Sequence, residues 1–379
     1  MHILIAPNTF KHSLDTFQVA EAIRQGLAKS RLPATYTLFP IADGGEGMLD
    51  ILVQHFQGRK EVVRVQDPLG REIAASFGII RDGQTAVIEL ASASGLKWLR
   101  AEELNPLLAS TFGTGQLIRA ALDLGLRDFI IGLGNSATVD GGAGLLQALG
   151  FRFLDAAGAA IAPGAGGLAA LSSIDRSSVD PRLAGCRFCV ACDVDNPLLG
   201  EQGAARVFGP QKGADAALVP VLEAHLSQLR EVTRSHTGVD MAAARHGGAA
   251  GGTAAALEAF LSASLVPGVE YILGLTGFSQ QIATAQLLIT AEGEINTQTL
   301  SGKGPYGAAR QAREHQVPVI ALTGQIPADL DLEKFAFFDA VFPISRGPVK
   351  LEDALQSTAA DLTRTAWQIG NLLHFKAQL

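Results

Sequence analysis

Short runs in which nearly every residue is apolar alternate, along this chain, with stretches in which apolar residues recur every three or four positions. The first pattern is that of a buried strand, the second that of an amphipathic helix. Residues 2–6 form such a run, stopped by Pro7. Ser13 then stands where a helix N-cap is expected, ahead of Val19, Ala22, Ile23 and Leu27 at helical spacing. A second unit follows: a strand over 35–40, the turn Asp43-Gly44-Gly45-Glu46-Gly47, and Met48, Leu49, Leu52, Val53 and Phe56 on one helix face. Two strand–turn–helix units in succession predict right-handed parallel crossovers.

From about Val62 the pattern changes. Apolar runs over 62–65, 73–80 and 86–90 follow one another without helices between them. They predict an antiparallel section, with a domain boundary at Gln66-Asp67-Pro68-Leu69-Gly70. A helix over 115–124, a buried strand over 128–133, a glycine-rich turn and a helix over 141–149 come next. Residues 156–167 predict a loop, 187–192 a strand and 214–237 a helix. The last third returns to the opening pattern, with a helix over 250–263, strands over 286–290, 317–322 and 340–344, and a closing helix over 351–373. The expectation is an α/β protein: a Rossmann-like parallel-sheet domain (1–66 and 250–379) split by an inserted second α/β domain (67–249).

Composition narrows the class. The chain has 379 residues, more than one compact domain ordinarily holds. It is 47% hydrophobic and 18% charged, enough apolar matter for a large core. A net charge of −7 without a block of Lys or Arg speaks against nucleic acid or an anionic membrane as partner. The N-terminus lacks a basic segment ahead of its short apolar run, and no stretch of about 18 residues is continuously apolar. The expectation is a soluble cytoplasmic enzyme, with homo-oligomerisation left open.

Several local patterns carry chemistry. Asp43 and Glu46 stand three apart among glycines at a predicted strand end, where carboxylates can hold Mg²⁺ or take a proton; a turn Asp and a helix-start Glu is the plainer alternative. Lys11 follows the first strand and can neutralise phosphate or carboxylate charge there. Thr111, Gly113, Thr114 and Gly115 open a helix whose positive end suits an anion. The turn Gly132-Leu133-Gly134-Asn135-Ser136-Ala137 fits the loose dinucleotide pattern, but its helix starts late, so a wider anion-binding turn fits better. Cys186, Cys189 and Cys192 have metal-like spacing. In a strand, however, residues three apart face opposite sides, so packing is the expected role. The carboxylates of Asp193-Val194-Asp195-Asn196 at that strand's end are better candidates. Neither a Walker A motif nor a nucleophile elbow occurs.

Taken in order, eight segments resemble the bacterial glycerate kinase family of the type without a P-loop, nearly end to end. They are Asn8-Thr9-Phe10-Lys11-His12-Ser13, Ala42-Asp43-Gly44-Gly45-Glu46-Gly47, Asp67-Pro68-Leu69-Gly70-Arg71, Ala93-Ser94-Gly95-Leu96, Gly113-Thr114-Gly115, Gly134-Asn135-Ser136-Ala137-Thr138-Val139-Asp140, Asp193-Val194-Asp195-Asn196-Pro197 and Gly209-Pro210-Gln211-Lys212-Gly213. The resemblance implies ATP, Mg²⁺ and phosphorylation of D-glycerate at its 2- or 3-hydroxyl. Under that reaction Lys11 and Asp193 are the expected catalytic residues and Asp43 and Glu46 the expected metal ligands, with Asp43 or Asp193 as the base. Ser13, Gly44, Gly45, Thr111, Gly113, Thr114, Gly115, Asn135, Ser136, Ala137, Asn196, Lys212, Glu292 and Gln298 are implied to bind substrate or phosphate. The chain departs from the family where Asn8 replaces Asp, His12 and Asn135 replace Gly, Val139 replaces Asn, Glu294 replaces Arg and Asn296 replaces Asp. Two other classes are weighed against this one: a nicotinamide-dependent dehydrogenase and a metabolite-binding regulator with a decayed kinase site. Because the candidates come from both lobes, the site is expected in a cleft that closes about hinges at 66–70 and 247–252.

Overall fold

In the computed structural model the described residues are all of 1–379 except 82, 297, 298, 300–302, 328–331 and 377–379. The chain forms β1 (His2–Ile5) and β2 (Thr35–Leu38), then β3 (Arg59–Gln66), β4 (Glu72–Ile80) and β5 (Thr85–Glu89). Next come β6 (Asp128–Gly132), β7 (Arg152–Leu154), β8 (Ser173–Asp175), β9 (Arg187–Cys192) and β10 (Ser264–Pro267). The chain closes with β11 (Leu287–Glu294), β12 (Val319–Gln325) and β13 (Ala340–Pro343). It divides into two compact units, 1–43 with 269–379, and 44–268.

The first unit is built from both chain ends around a parallel sheet ordered β13-β12-β11-β1-β2. Strand alternation divides its core into two layers. Ile3 and Ile5 pack with Val19, Ile23 and Leu27 of the helix Thr16–Lys29 and with Leu362, Ala366 and Ile369 of the helix Leu351–Lys376. Leu4, between those two isoleucines in sequence, belongs to the opposite layer, with Ala308 and Ala309 of the helix Gly304–Glu314. The first helix is capped by Asp15 in a capping box with Gln18, two residues beyond the expected Ser13. Ser13 instead donates its hydroxyl hydrogen to the Leu355 carbonyl at 2.6 Å.

The second unit carries a six-stranded sheet ordered β10-β9-β6-β5-β4-β3, parallel from β10 to β5 and antiparallel from β5 to β3. A small antiparallel pair, β7-β8, accompanies it. The expected α/β class and split parallel-sheet unit are therefore present, but the boundaries move. Strand β3 pairs with β4 over its whole length, from Arg59 opposite Ile79 to Gln66 opposite Glu72, so a cut at 66 would divide a hairpin. At the other end β10 pairs with β9, which keeps the chain in the second unit until Gly268. Neither expected hinge lies at a crossing. Residues 66–70 are the hairpin turn, where buried Asp67 accepts from Leu69 and Arg71 N–H. Residues 247–252 are packed: a Cβ on Gly248 would stand 2.3 Å from the Pro197 oxygen, and one on Gly251 2.1 Å from that of Thr138. Among the described residues no helix is long and apolar enough to cross a membrane.

Candidate active site

In the second unit three parallel strands end side by side, and Glu89, Gly132 and Ala191 form one row across the sheet. Such a carboxyl edge is where α/β sheets place ligands. The 44–47 loop lies over that row. A Cβ on Gly132 would sit 2.3 Å from the Gly44 oxygen, and one on Gly134 2.4 Å from the Gly45 Cα, so both approaches require glycine. Gly44 has φ +98°, and a Cβ on it would meet Asp193 Oδ1 at 2.8 Å. Asp193, half-buried just past β9, thus places its carboxylate against the glycines of two turns. Glu46, on the same loop but exposed, accepts from Asn135 Nδ2 at 3.3 Å.

The turn after β6 is held from beneath. Lys212 is 1% exposed, and its Nζ donates to Ser136 Oγ at 2.8 Å and to the Thr138 oxygen at 2.7 Å. Burial pushes this ammonium down from 10.5 to about 7. Asn135 has φ +56°, a left-handed conformation that asparagine tolerates and the family's glycine adopts freely. Gly45 fills the space over Gly134 where a dinucleotide pyrophosphate would lie, and the next helix, Ala143–Ala148, starts well beyond the turn. The dehydrogenase alternative loses its cradle.

In the Thr111–Gly115 stretch the hydroxyls and most of the N–H groups bond within the protein. Thr111 Oγ1 donates to Asp140 Oδ2 at 2.8 Å and accepts from Leu145 N–H; Thr114 Oγ1 pairs with Ser94 Oγ. The N–H groups of Thr111, Phe112, Thr114 and Gly115 are likewise taken. Gly113 and Gly115 admit close neighbours: added Cβ atoms would stand 1.9 Å from the Gln66 oxygen and 2.3 Å from that of Leu145. Asn196 Nδ2 is also committed, to the Gln202 oxygen at 2.8 Å. Ala137 donates its N–H to the Ser94 oxygen. Sequence reasoning passed over Glu89. Its carboxylate is buried and accepts from Leu49 N–H at 2.9 Å, capping the helix Met48–His55 whose own N-cap, Gly47, has no side chain. Burial raises it to about 7. The signal was an acidic residue closing an otherwise apolar strand.

In the first unit Asn8 and Asp43 follow β1 and β2, and Glu292 lies two residues before the end of β11, at the same carboxyl edge. Asn8 is buried and donates from Nδ2 to Asp43 Oδ2 at 3.3 Å. The family's Asp at position 8 would set two carboxylates face to face; the amide here removes that repulsion. Glu292 Oε1 lies 3.6 Å from Lys303 Nζ, and Oε2 accepts from Thr299. Burial lifts Glu292 to about 7, Asp43 adding to the rise while Lys303 and Lys11 oppose it. Lys11 is exposed, on a loop that packs its backbone against Gly293. The neighbouring His12 has φ +64°, which explains a glycine there in the family. The paired carboxylates are divided: Asp43 closes the first unit and meets Asn8, whereas Glu46 lies in the second and meets Asn135. Gln298 lies outside the described residues. A groove of about 740 Å³ between the helices Thr16–Lys29 and Leu351–Lys376 holds none of these residues.

Two of the three cysteines bond within the protein. Cys186 and Cys192 donate to the Arg182 and Val190 carbonyls, and burial pushes both thiols up.

Known proteins are similar to this chain over nearly its whole length. The sequence model described as the glycerate kinase family matches residues 3–374. A glycerate kinase of Bacillus subtilis is 46% identical over 370 residues, 97% of either chain. The glycerate 2-kinase of Escherichia coli K12 is 42% identical over 373 residues, 98% of either chain. A crystal structure assigned to a glycerate kinase 2 from Salmonella typhimurium LT2 superposes over all of both chains with a TM-score of 0.85 at 42% identity. With its eight segments in order, its carboxyl-edge carboxylates and a match over nearly its whole length, the chain belongs to the glycerate kinase family.

Proposed function

We propose that this protein is an ATP-dependent kinase that phosphorylates a hydroxyl of D-glycerate. The observation that carries the reading is Asp193, seated at the carboxyl edge against Gly44, where an added Cβ would stand 2.8 Å from its Oδ1. Phosphoryl transfer needs positioning and charge neutralisation more than covalent chemistry. Asp193 accepts the hydroxyl proton as the oxygen attacks the γ-phosphorus. The Lys11 ammonium balances negative charge on substrate or γ-phosphate, and its exposure leaves it free to reach a ligand. The 135–137 turn holds carboxylate or phosphate oxygens.

The donor set fits Mg²⁺. That ion takes one or two protein carboxylates and completes its shell with phosphates and water. Asp43, half-buried beside the Asn8 amide, and the exposed Glu46 are such carboxylates. Among the described residues no group of three acidic, His or Cys side chains could hold a metal ion by itself. When bound, Mg²⁺ supplies charge neutralisation on the phosphoryl oxygens.

Purified protein with ATP, Mg²⁺ and D-glycerate should release ADP in a coupled assay, and omission of Mg²⁺ should stop it. ADP release that is the same with and without every hydroxy acid tested overturns the kinase reading. Product analysis distinguishes 2-phosphoglycerate from 3-phosphoglycerate; the Escherichia coli relative's name favours the 2-position.

A further inference from the structure

Lys212 spends a buried charge on two neutral partners. Its ammonium is 1% exposed and makes no ion pair among the described residues; it donates only to Ser136 Oγ and the Thr138 oxygen. Asp140 favours the charged form without bonding to it, and burial opposes it. A buried cation costs stability, and an apolar side chain of similar length would pack there without that cost.

The arrangement constrains Ser136. A hydroxyl carries one hydrogen and two lone pairs. As an ammonium Lys212 has no lone pair and can only donate into the oxygen, so in that form the hydrogen must donate elsewhere. Among the described residues no acceptor receives it. Ser136 is 5% exposed, on the turn at the carboxyl end of β6, beside Asn135. A nine-tenths buried donor without an acceptor at a ligand-binding sheet edge points to an acceptor brought by the ligand.

We propose that Lys212 and Ser136 form a built-in oxyanion donor, in which the buried ammonium polarises Ser136 and the Ser136 hydroxyl donates to an anionic oxygen of the ligand. Ser136 touches the ligand; Lys212 acts through it as a positioning residue. The bound anion in turn favours the ammonium form of Lys212. The oxyanion is either the carboxylate of the hydroxy acid or a nucleotide phosphate. This inference rests on the kinase reading for its choice of ligands and assigns one group of that ligand to one side chain.

The test uses full-length protein and the variants Lys212→Met, Ser136→Ala and the double. Each is titrated by calorimetry with D-glycerate and, separately, with MgADP, and its Tm is recorded. Both single variants should bind the same one of the two ligands about 10- to 100-fold more weakly, the range for a hydrogen bond to a charged group. The affected ligand identifies carboxylate or phosphate. The double variant should be no weaker than the weaker single, because the two residues act as a unit. Lys212→Met should melt at or above the parent's temperature. Affinities within twofold of the parent for both ligands overturn the proposal, as do losses that add in the double variant. If Lys212→Met melts lower, Ser136→Ala decides by itself, since it removes only the hydroxyl. A parent protein that binds neither ligand overturns the kinase reading instead. Inorganic phosphate then serves as probe: weaker phosphate binding in both variants upholds the donor, and a parent that binds no phosphate overturns it.

Discussion

Asp193 owes its place to residues that have no side chain. Gly44 leaves room for its carboxylate, and Gly132 and Gly134 let the 44–47 loop descend onto the sheet edge. Groups that act mainly in the transition state lower kcat and kcat/KM together when removed. Asp193→Asn and Lys11→Ala should each reduce kcat about 10²-fold or more, the range for a general base or an electrostatic partner. A folded variant that keeps near-full kcat removes its residue from the mechanism. Glu292 makes a prediction about pH. Its carboxyl is raised from 4.5 to about 7 by burial. Folding therefore takes up a proton, so this group's contribution to stability is fully present below 4.5 and is lost as pH rises through 7. Glu292→Gln should gain on the parent by up to about 3 kcal/mol on going from pH 4.5 to pH 8, at 1.36 kcal/mol per unit. Melting curves that stay parallel for the two proteins across that range would contradict the assignment.

At the scale of elements, alternation and pairing decide which side chains meet. Strand β9 shows this. Its burial runs from exposed Arg187 to buried Cys192, and its neighbours β6 and β10 lie parallel on either side. Three cysteines spaced for a metal in a loop are spread along a paired strand and the residue before it, and two of the thiols already bond to carbonyls. The purified protein should be colourless and free of stoichiometric iron or zinc. One bound ion per chain, lost in Cys189→Ser, would defeat the strand argument. The helix Phe112–Asp123 teaches the complementary lesson. Its start reads as an anion site in sequence, yet its glycines serve approach to Gln66 and Leu145, and its hydroxyls serve Asp140 and Ser94.

At the scale of the molecule, the boundary follows hydrogen-bonded ladders rather than composition. The 44–268 segment is continuous in sequence and encloses its own core, including Phe77, Phe129, Leu146, Phe188 and Leu257. Expressed alone it should fold and melt cooperatively. The 67–249 fragment lacks β3 and β10, the two edge strands of its sheet, and should be unfolded or aggregate through exposed edges. Equal cooperative melting of both fragments would show that neither edge strand matters to the unit.

Apolar periodicity by itself determined the α/β class, most of the strands and the return of the chain to a first parallel unit, because burial on both faces of a parallel sheet leaves runs that no helix needs. Ordered motifs pointed to the glycerate kinase family, and their carboxylates at strand ends to the carboxyl edges. Tertiary structure alone decided the rest. The short strands β7, β8 and β10 carry too few apolar residues to announce themselves, and β3 joins the second unit through its partner β4 and the helix Phe112–Asp123. Glu89 reads as one more strand residue until Leu49 N–H is seen to need it. Thr111, Thr114 and Asn196 read as donors to a ligand until their partners within the protein appear. In each case residue type states what a side chain can bond, whereas only the fold, by bringing backbone and side-chain partners within 3 Å, states whether that capacity is already used.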